Sequence, residues 1–211
     1  MSFTNNGYEI LPDAGAALLK QFPQDLPNTS RAGARHLLSV PEIASIARAL
    51  APIAGDAIPF RATLFNKASN SNWSVVWHQD TALPLGDRFD ATGWGPWSIK
   101  AGVHYAHAPA FALENVVALR LHLDDSTADN GPLRVLPGTH VMGVLSDDDV
   151  HRLAQTIAPV DCLVPAGGVL MMRPLLIHSS GRLTSTAPRR VLHIEYAESL
   201  MIADGIELAI A

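Results

Sequence analysis

The sequence predicts a mainly β chain, a sandwich or jelly roll with flanking N-terminal helices. Three observations carry that expectation. Helical spacing of apolar residues is concentrated before residue 53. Beyond it, short apolar or alternating runs recur between Gly- and Pro-bearing turns. Apolar residues make up 48% of the 211 and charged residues 17%, enough for a sizeable core.

Residues 13–22 and 36–52 carry apolar side chains three and four apart and read as helices. Asp13 is the expected cap of the first. Ser39, Pro41 and Glu42 read as the cap and first turn of the second. Strands are expected at 61–67 and 73–80, joined as a hairpin across the polar loop 68–72. Residues 81–114 carry Pro, Gly and Trp with little periodicity, and read as a long functional loop. Strands resume at 116–124 and 133–136, the latter after the turn at 129–132. Residues 146–156 read as a short capped helix. Further strands are expected at 161–164, 168–172, 175–179 and 189–197. The whole is expected to be one domain, in which a helical N-terminal region (residues 1–58) packs on a β core (residues 59–200).

Fifteen Lys and Arg against twenty Asp and Glu leave a net charge of -5, and no basic stripe points to nucleic acid. The lone Cys162 excludes an intrachain disulfide and suits a reducing compartment. The first residues have neither a basic start nor a long apolar run, and no stretch reaches the roughly 18 apolar residues of a membrane span. A soluble cytoplasmic protein is expected, acting on a small molecule. Nothing in the chain fixes an oligomeric state.

Nine histidines invite a search for metal chemistry. His78 and Asp80 stand two apart in an expected strand, so imidazole and carboxylate project from one face. Two His and one carboxylate on one face of an octahedron, with the other face open, suit a non-haem iron oxygenase. His178, expected to end the apolar strand before it, is the third candidate. Alone, a His-x-Asp pair also reads as a surface pair at a strand end. Arg189 or Arg190, opening the strand at 189–197, could grip the far carboxylate of a dicarboxylic cosubstrate; the other is a solvated edge residue.

The run Trp77-His78-Gln79-Asp80, the segment from Asn130-Gly-Pro to Pro-Gly-Thr-His140, and His178-Ser-Ser-Gly followed by Pro188-Arg189-Arg190 resemble the phytanoyl-CoA dioxygenase family. The resemblance spans about residues 61–197. It implies a cupin-like double-stranded β-helix and a dioxygenase dependent on iron(II), 2-oxoglutarate and dioxygen, with ascorbate as an aid in vitro. By the same resemblance His78, Asp80 and His178 hold the iron, Arg189 binds the far carboxylate of 2-oxoglutarate, and Lys67 touches the cosubstrate. The implied reaction hydroxylates a small organic molecule as 2-oxoglutarate becomes succinate and carbon dioxide. Because Asp80 is present, hydroxylation is expected over halogenation. The chain departs from the family in lacking an Asn after the His178 run, in Ala187, and in Arg120 where a Trp is frequent. A metal-binding cupin-like isomerase or a small-ligand binding protein without oxygenase activity is the alternative, and Arg189 discriminates, having no purpose there.

Alternation over 116–124 puts Leu119, Leu121 and Leu123 on one face, with Arg120 and His122 on the other. Arg120 is thereby a candidate for an anionic ligand. Trp94, Trp97, Lys100, His104 and His107, in the expected loop, are the substrate-facing candidates. The alternative is that the two Trp anchor the loop. Trp77 is expected to pack beneath the sheet.

Overall fold

A computed structural model describes residues 3–23, 25–26 and 33–211. Four α-helices appear: α1 (Phe3–Asn6), α2 (Pro41–Leu50), α3 (Ala110–Leu113) and α4 (Asp147–Thr156). The strands are β1 (Tyr8–Leu11), β2 (Ile58–Lys67), β3 (Val75–His78), β4 (Ala82–Leu85), β5 (Trp97–Lys100), β6 (Val103–His107), β7 (Val116–His122), β8 (Leu133–Val135), β9 (Val160–Cys162), β10 (Val169–Met172), β11 (His178–Ser180), β12 (Arg189–Ala197), β13 (Met201–Ala203) and β14 (Ile206–Glu207). Antiparallel pairing joins them into a five-stranded sheet, β1-β10-β7-β12-β2, and a four-stranded sheet, β3-β11-β8-β9. The chain is mainly β, in the jelly-roll arrangement expected. No helix among the described residues is long and apolar enough to cross a membrane.

Helix α2 shows why the five-stranded sheet has a covered face. Ile43, Ile46, Ala47 and Leu50 follow helical spacing and are all buried. They pack on Leu119, Leu121, Leu192 and Ile194, the outward residues of β7 and β12. Each large apolar side chain so buried contributes about 1.5–3 kcal/mol. The Tyr196 hydroxyl donates to the Ala47 carbonyl at 2.9 Å, tying helix to sheet.

Alternation then sends the other half of each strand inward. From β2 come Arg61, Thr63, Phe65 and Lys67, from β7 Arg120 and His122, from β12 Arg189, His193 and Glu195. That inner face is strongly polar for a sandwich interior. Leu133, Val135 and Cys162 meet Tyr8, Leu170 and Met172 in an apolar cluster that closes one end.

Several sequence expectations change. Residues 13–22 form only a 3-10 turn, Ala16–Gln21, preceded by Gly15 with no side-chain cap. Helix α2 begins at Pro41 after Val40, and Ser39 instead donates to the His36 carbonyl at 2.8 Å. The expected hairpin 61–80 is absent: β2 pairs with β12 and β3 with β11, so the chain crosses from one sheet to the other. The 81–114 segment is a three-stranded sheet, β4-β6-β5, with α3, rather than a loop. Its irregular pattern arises because its packing partners lie in the C-terminal stretch: Leu83 and Leu85 cluster with Ile202 and Leu208. The N-terminal region is not only helical, since β1 pairs with β10 at the sheet edge. The apolar run before His178 is not one strand. It breaks at 173–177, and His178 opens β11. Helix α4 is as expected, with Ser146 accepting from the Asp149 amide.

Candidate metal centre and the cavities around it

His78 ends β3 and His178 begins β11, and the two are register partners across the antiparallel pair. Their rings lie 4.2 Å apart between centroids. Asp80 sits beyond the end of β3, its amide held by the Pro174 carbonyl at 2.9 Å. The expected same-face geometry is therefore reached past the strand end rather than within it. Between the two, Gln79 fixes the segment: its amide nitrogen donates to the Gly143 and Leu175 carbonyls, and its oxygen accepts from the Leu145 amide.

Each imidazole is oriented from behind. His78 Nδ1 lies 2.8 Å from the Val76 carbonyl and His178 Nδ1 2.9 Å from the Leu176 carbonyl. A carbonyl can only accept, so Nδ1 carries the proton and Nε2 keeps its lone pair in the neutral ring. Both Nε2 atoms face Asp80, at 3.6 Å from Oδ1 and 3.5 Å from Oδ2. The three donor atoms lie within 4.8 Å of one another. His178 is 4% exposed against 35% and 30% for His78 and Asp80, so the triad opens to one side. Burial pushes the His178 pKa down to about 3, which keeps the ring neutral at neutral pH. Burial opposes charge on Asp80, yet the hydrogen bond and charge of His78 hold its carboxyl well below the ordinary range. Burial opposes charge on His78 too, but Asp80 raises its pKa, so a divalent cation, which takes neutral imidazoles and an ionised carboxylate, competes with a proton there. The donor set, two N and one O with an open side, fits iron(II).

One cavity, of about 110 Å³, runs inward from the triad. That is several times the roughly 10–15 Å³ that one water needs. Lys67, Arg120 and Arg189 line it, and Asp80 is its one acid. Arg189 and Lys67 are direct register partners on β12 and β2. Ser180 joins them: its hydroxyl accepts from Lys67 Nζ at 2.7 Å and from Arg189 Nη2 at 3.2 Å, and donates to the Gly131 carbonyl. Lys67 also donates to the Gly181 carbonyl and lies over the Trp73 ring. Gly131 is required there. Its φ is +69°, and an added Cβ would sit 2.5 Å from the Gly181 oxygen.

These cations are short of partners. Arg189 Nη1 and Arg120 Nε are buried with no hydrogen-bond acceptor among the described residues. Burial, then the Arg120 charge, lowers the Arg189 pKa to about 9. Burial, then Arg189 and Arg120, lowers Lys67 to about 7. His122 beneath them has neither ring nitrogen bonded, and burial lowers it to about 3. Orphaned donors beside uncompensated charge are the signature of an anion site. The residues present fit a dicarboxylate such as 2-oxoglutarate.

A second cavity, about 250 Å³, meets the first at Asp80 and is walled by Arg35, Arg61, Thr81, Lys100 and His107 among others. Arg61 is committed to Glu195 and the Ala82 carbonyl. Of the residues singled out in the sequence, Arg120 lines the inner cavity, whereas Trp94, Trp97 and His104 line neither. Both Trp stack edge-on against Phe89 and pack on the apolar cluster of the three-stranded sheet. His104 projects from the other face of β6 from Tyr105 and His107. Trp77 packs under α4 against the cluster of Leu136, Val150 and Ile177. Sequence reasoning missed Ser180, although its spacing of two from His178 placed it on the same face. It also missed Arg35, Arg61, Gln79 and Thr81, which carried no local signal.

Comparison with known proteins agrees with this geometry. The family model of phytanoyl-CoA dioxygenase matches residues 21–191. L-proline trans-4-hydroxylase of Streptomyces griseoviridis is 25% identical over 186 residues, covering 76% of this chain and 61% of that protein. The chain thus spans under two thirds of that curated relative. Among solved structures, AviO1 from Streptomyces viridochromogenes Tue57 superposes with a TM-score of 0.62 at 24% identity, over 92% of this chain and 91% of that one. EctD from S. alaskensis, solved with 2-oxoglutarate and 5-hydroxyectoine, gives 0.64 at 18% identity, over 92% and 73%. HygX from Streptomyces hygroscopicus, solved with nickel and 2-oxoglutarate, gives 0.62 at 16% identity, over 92% and 84%. At these identities the structures establish the shared fold, and the family match over most of the length settles the rest: the chain belongs to the phytanoyl-CoA dioxygenase family.

Proposed function

We propose that this protein is an iron(II)- and 2-oxoglutarate-dependent dioxygenase that hydroxylates a small organic molecule. One observation carries the reading: three donor atoms within 4.8 Å of one another open onto a cavity in which Arg189 Nη1 and Arg120 Nε are buried without an acceptor. His78, Asp80 and His178 would hold the metal. Bound iron would supply the redox chemistry that activates dioxygen and converts 2-oxoglutarate to succinate and carbon dioxide.

The chain's own residues do the rest. Arg189, with Nη1 unbonded, takes the far carboxylate of the cosubstrate. Lys67 and Arg120 add positive field, and Ser180 fixes the angle between Lys67 and Arg189. Val76 and Leu176 hold the two imidazoles by their carbonyls, so neither ligand must reorient on binding. The apolar wall of Phe65 and Leu133 limits water beside the cosubstrate. The buried free thiol of Cys162 suits a cytoplasmic setting.

The test is direct. Protein supplied with iron(II), ascorbate and 2-oxoglutarate should release succinate slowly without substrate and show a 2-oxoglutarate-dependent visible band. Neither signal in correctly folded protein would sink the reading and leave a cupin-like isomerase or binding protein.

A further inference from the structure

The second cavity carries a charge that nothing in the site uses. Arg35 and Lys100 face it, and neither forms a salt bridge among the described residues, although the charge of Asp80 acts on Lys100 through space. The other cation, Arg61, is neutralised by buried Glu195. His107 Nδ1 is bonded to the Thr81 hydroxyl at 2.7 Å, and the Gln79 amide donates to two backbone carbonyls. Asp80, the one carboxylate in the wall, belongs to the metal triad.

Both free cations are placed by structure. Ala34 and Leu64 exchange backbone hydrogen bonds at 3.0 and 2.9 Å, so this segment adds to the outer edge of β2. Ala34 and Leu64 both turn toward the α2 core. Strand alternation therefore turns Arg35 inward, beside Thr63 and Phe65. The approach depends on Gly33, whose φ is +81° and where an added Cβ would stand 2.6 Å from the Leu64 oxygen. Lys100 ends β5 before a two-residue turn, Ala101-Gly102, in which both φ values are positive. Its ammonium sits 4.7 Å from the Tyr105 ring. Burial, followed by the charges of Arg35 and Arg61, lowers its pKa against the opposing charge of Asp80.

We infer that Arg35 and Lys100 form a substrate-carboxylate clamp, and that the molecule oxidised is a small carboxylic acid whose C–H is presented across Asp80 to the metal. The inference rests on the proposed activity and names the substrate class of the same site. A guanidinium fork and one ammonium match the two oxygens of a carboxylate. A phosphate monoester brings three oxygens and a second charge, more than one fork and one ammonium match, and Arg61 is already held by Glu195 and the Ala82 carbonyl. With Glu195 paired to Arg61 and Asp80 in the metal triad, a ligand that is only cationic would meet Arg35 and Lys100 with no free acid beside it.

The test uses full-length protein loaded with nickel(II), which binds without turnover. L-proline and L-prolinamide, and cyclopentanecarboxylic acid and its amide, are compared by ligand-detected NMR with and without 2-oxoglutarate. The inference expects each acid to bind at least tenfold more tightly than its amide. Arg35→Met and Lys100→Met should each erase that preference, and Lys100→Arg should restore most of it. Acids and amides binding alike, neither acid binding, or a preference that survives both Met variants would overturn the inference. Failure of 2-oxoglutarate itself to bind the nickel protein would instead bring down the proposed activity.

Discussion

On the Arg189 side of Asp80 the cavity walls are strands of the two large sheets, β12 in continuous register with β2 from Arg189 to Glu195 and one irregularity between β11 and β3. On the Arg35 side an edge-added segment and a hairpin turn, outside both large sheets, close the cavity against β2 and β12. The first wall places Lys67 opposite Arg189 and His193 opposite Arg120 by the ladder itself. The second depends on Gly33 and on a positive-φ turn to bring two cations together. A wall made of ladder is rigid and suits a cosubstrate that never changes. A wall made of attached segments can be altered without disturbing the metal centre, and suits the substrate.

The largest expected effect breaks the ladder side at its mouth. His178→Ala or Asp80→Ala removes a ligand and should lower iron affinity by more than the roughly 10–100-fold that loss of an outer hydrogen-bond partner costs. Titration of the visible band reads it. Next, Arg189→Ala should weaken 2-oxoglutarate binding by about 2–5 kcal/mol, the usual loss for one partner of a buried charge pair. Arg189→Lys should fall between, because an ammonium cannot bind two oxygens in parallel. Calorimetry with the metal-loaded protein measures both. If Arg189→Ala left 2-oxoglutarate binding intact, the contrast between the two walls would be wrong.

A third prediction concerns acid. His122 is neutral in the folded state, its pKa lowered by burial to about 3 against 6.5 when unfolded. Between those values the unfolded chain binds the extra proton. Stability from this group is therefore full above pH 6.5 and is lost as pH falls toward 3, at about 1.4 kcal/mol per pH unit. His122→Leu should flatten that slope by one proton in urea titrations of the metal-free protein. The smallest effect lies far from either cavity. Ser146→Ala removes the cap of α4 and should cost about 1 kcal/mol with no change in 2-oxoglutarate affinity.

The same contrast explains what could be read in advance. Strand β12, residues 189–197, matches its expected bounds, because β-branched and aromatic alternation is a local signal. Leu119, Leu121 and Leu123 fall on the helix-covered face for the same reason. The three-stranded sheet at 82–107 was illegible, since Leu83 and Leu85 bury against residues more than a hundred positions away. In the sequence Trp94 and Trp97 read equally as substrate-facing or as loop anchors, because a Trp in an irregular stretch carries no direction. Only their stacking on Phe89 gives one.

By itself the sequence determined the β architecture, the chemistry of the His78, Asp80 and His178 donors, and the family, because short motifs and strand alternation are properties of neighbouring residues. Tertiary structure alone decided that these donors converge, that Arg189 stands opposite Lys67, and that Arg35 and Lys100 share a cavity. Those are meetings of segments far apart in the chain, fixed by sheet register and packing, and no local pattern encodes them.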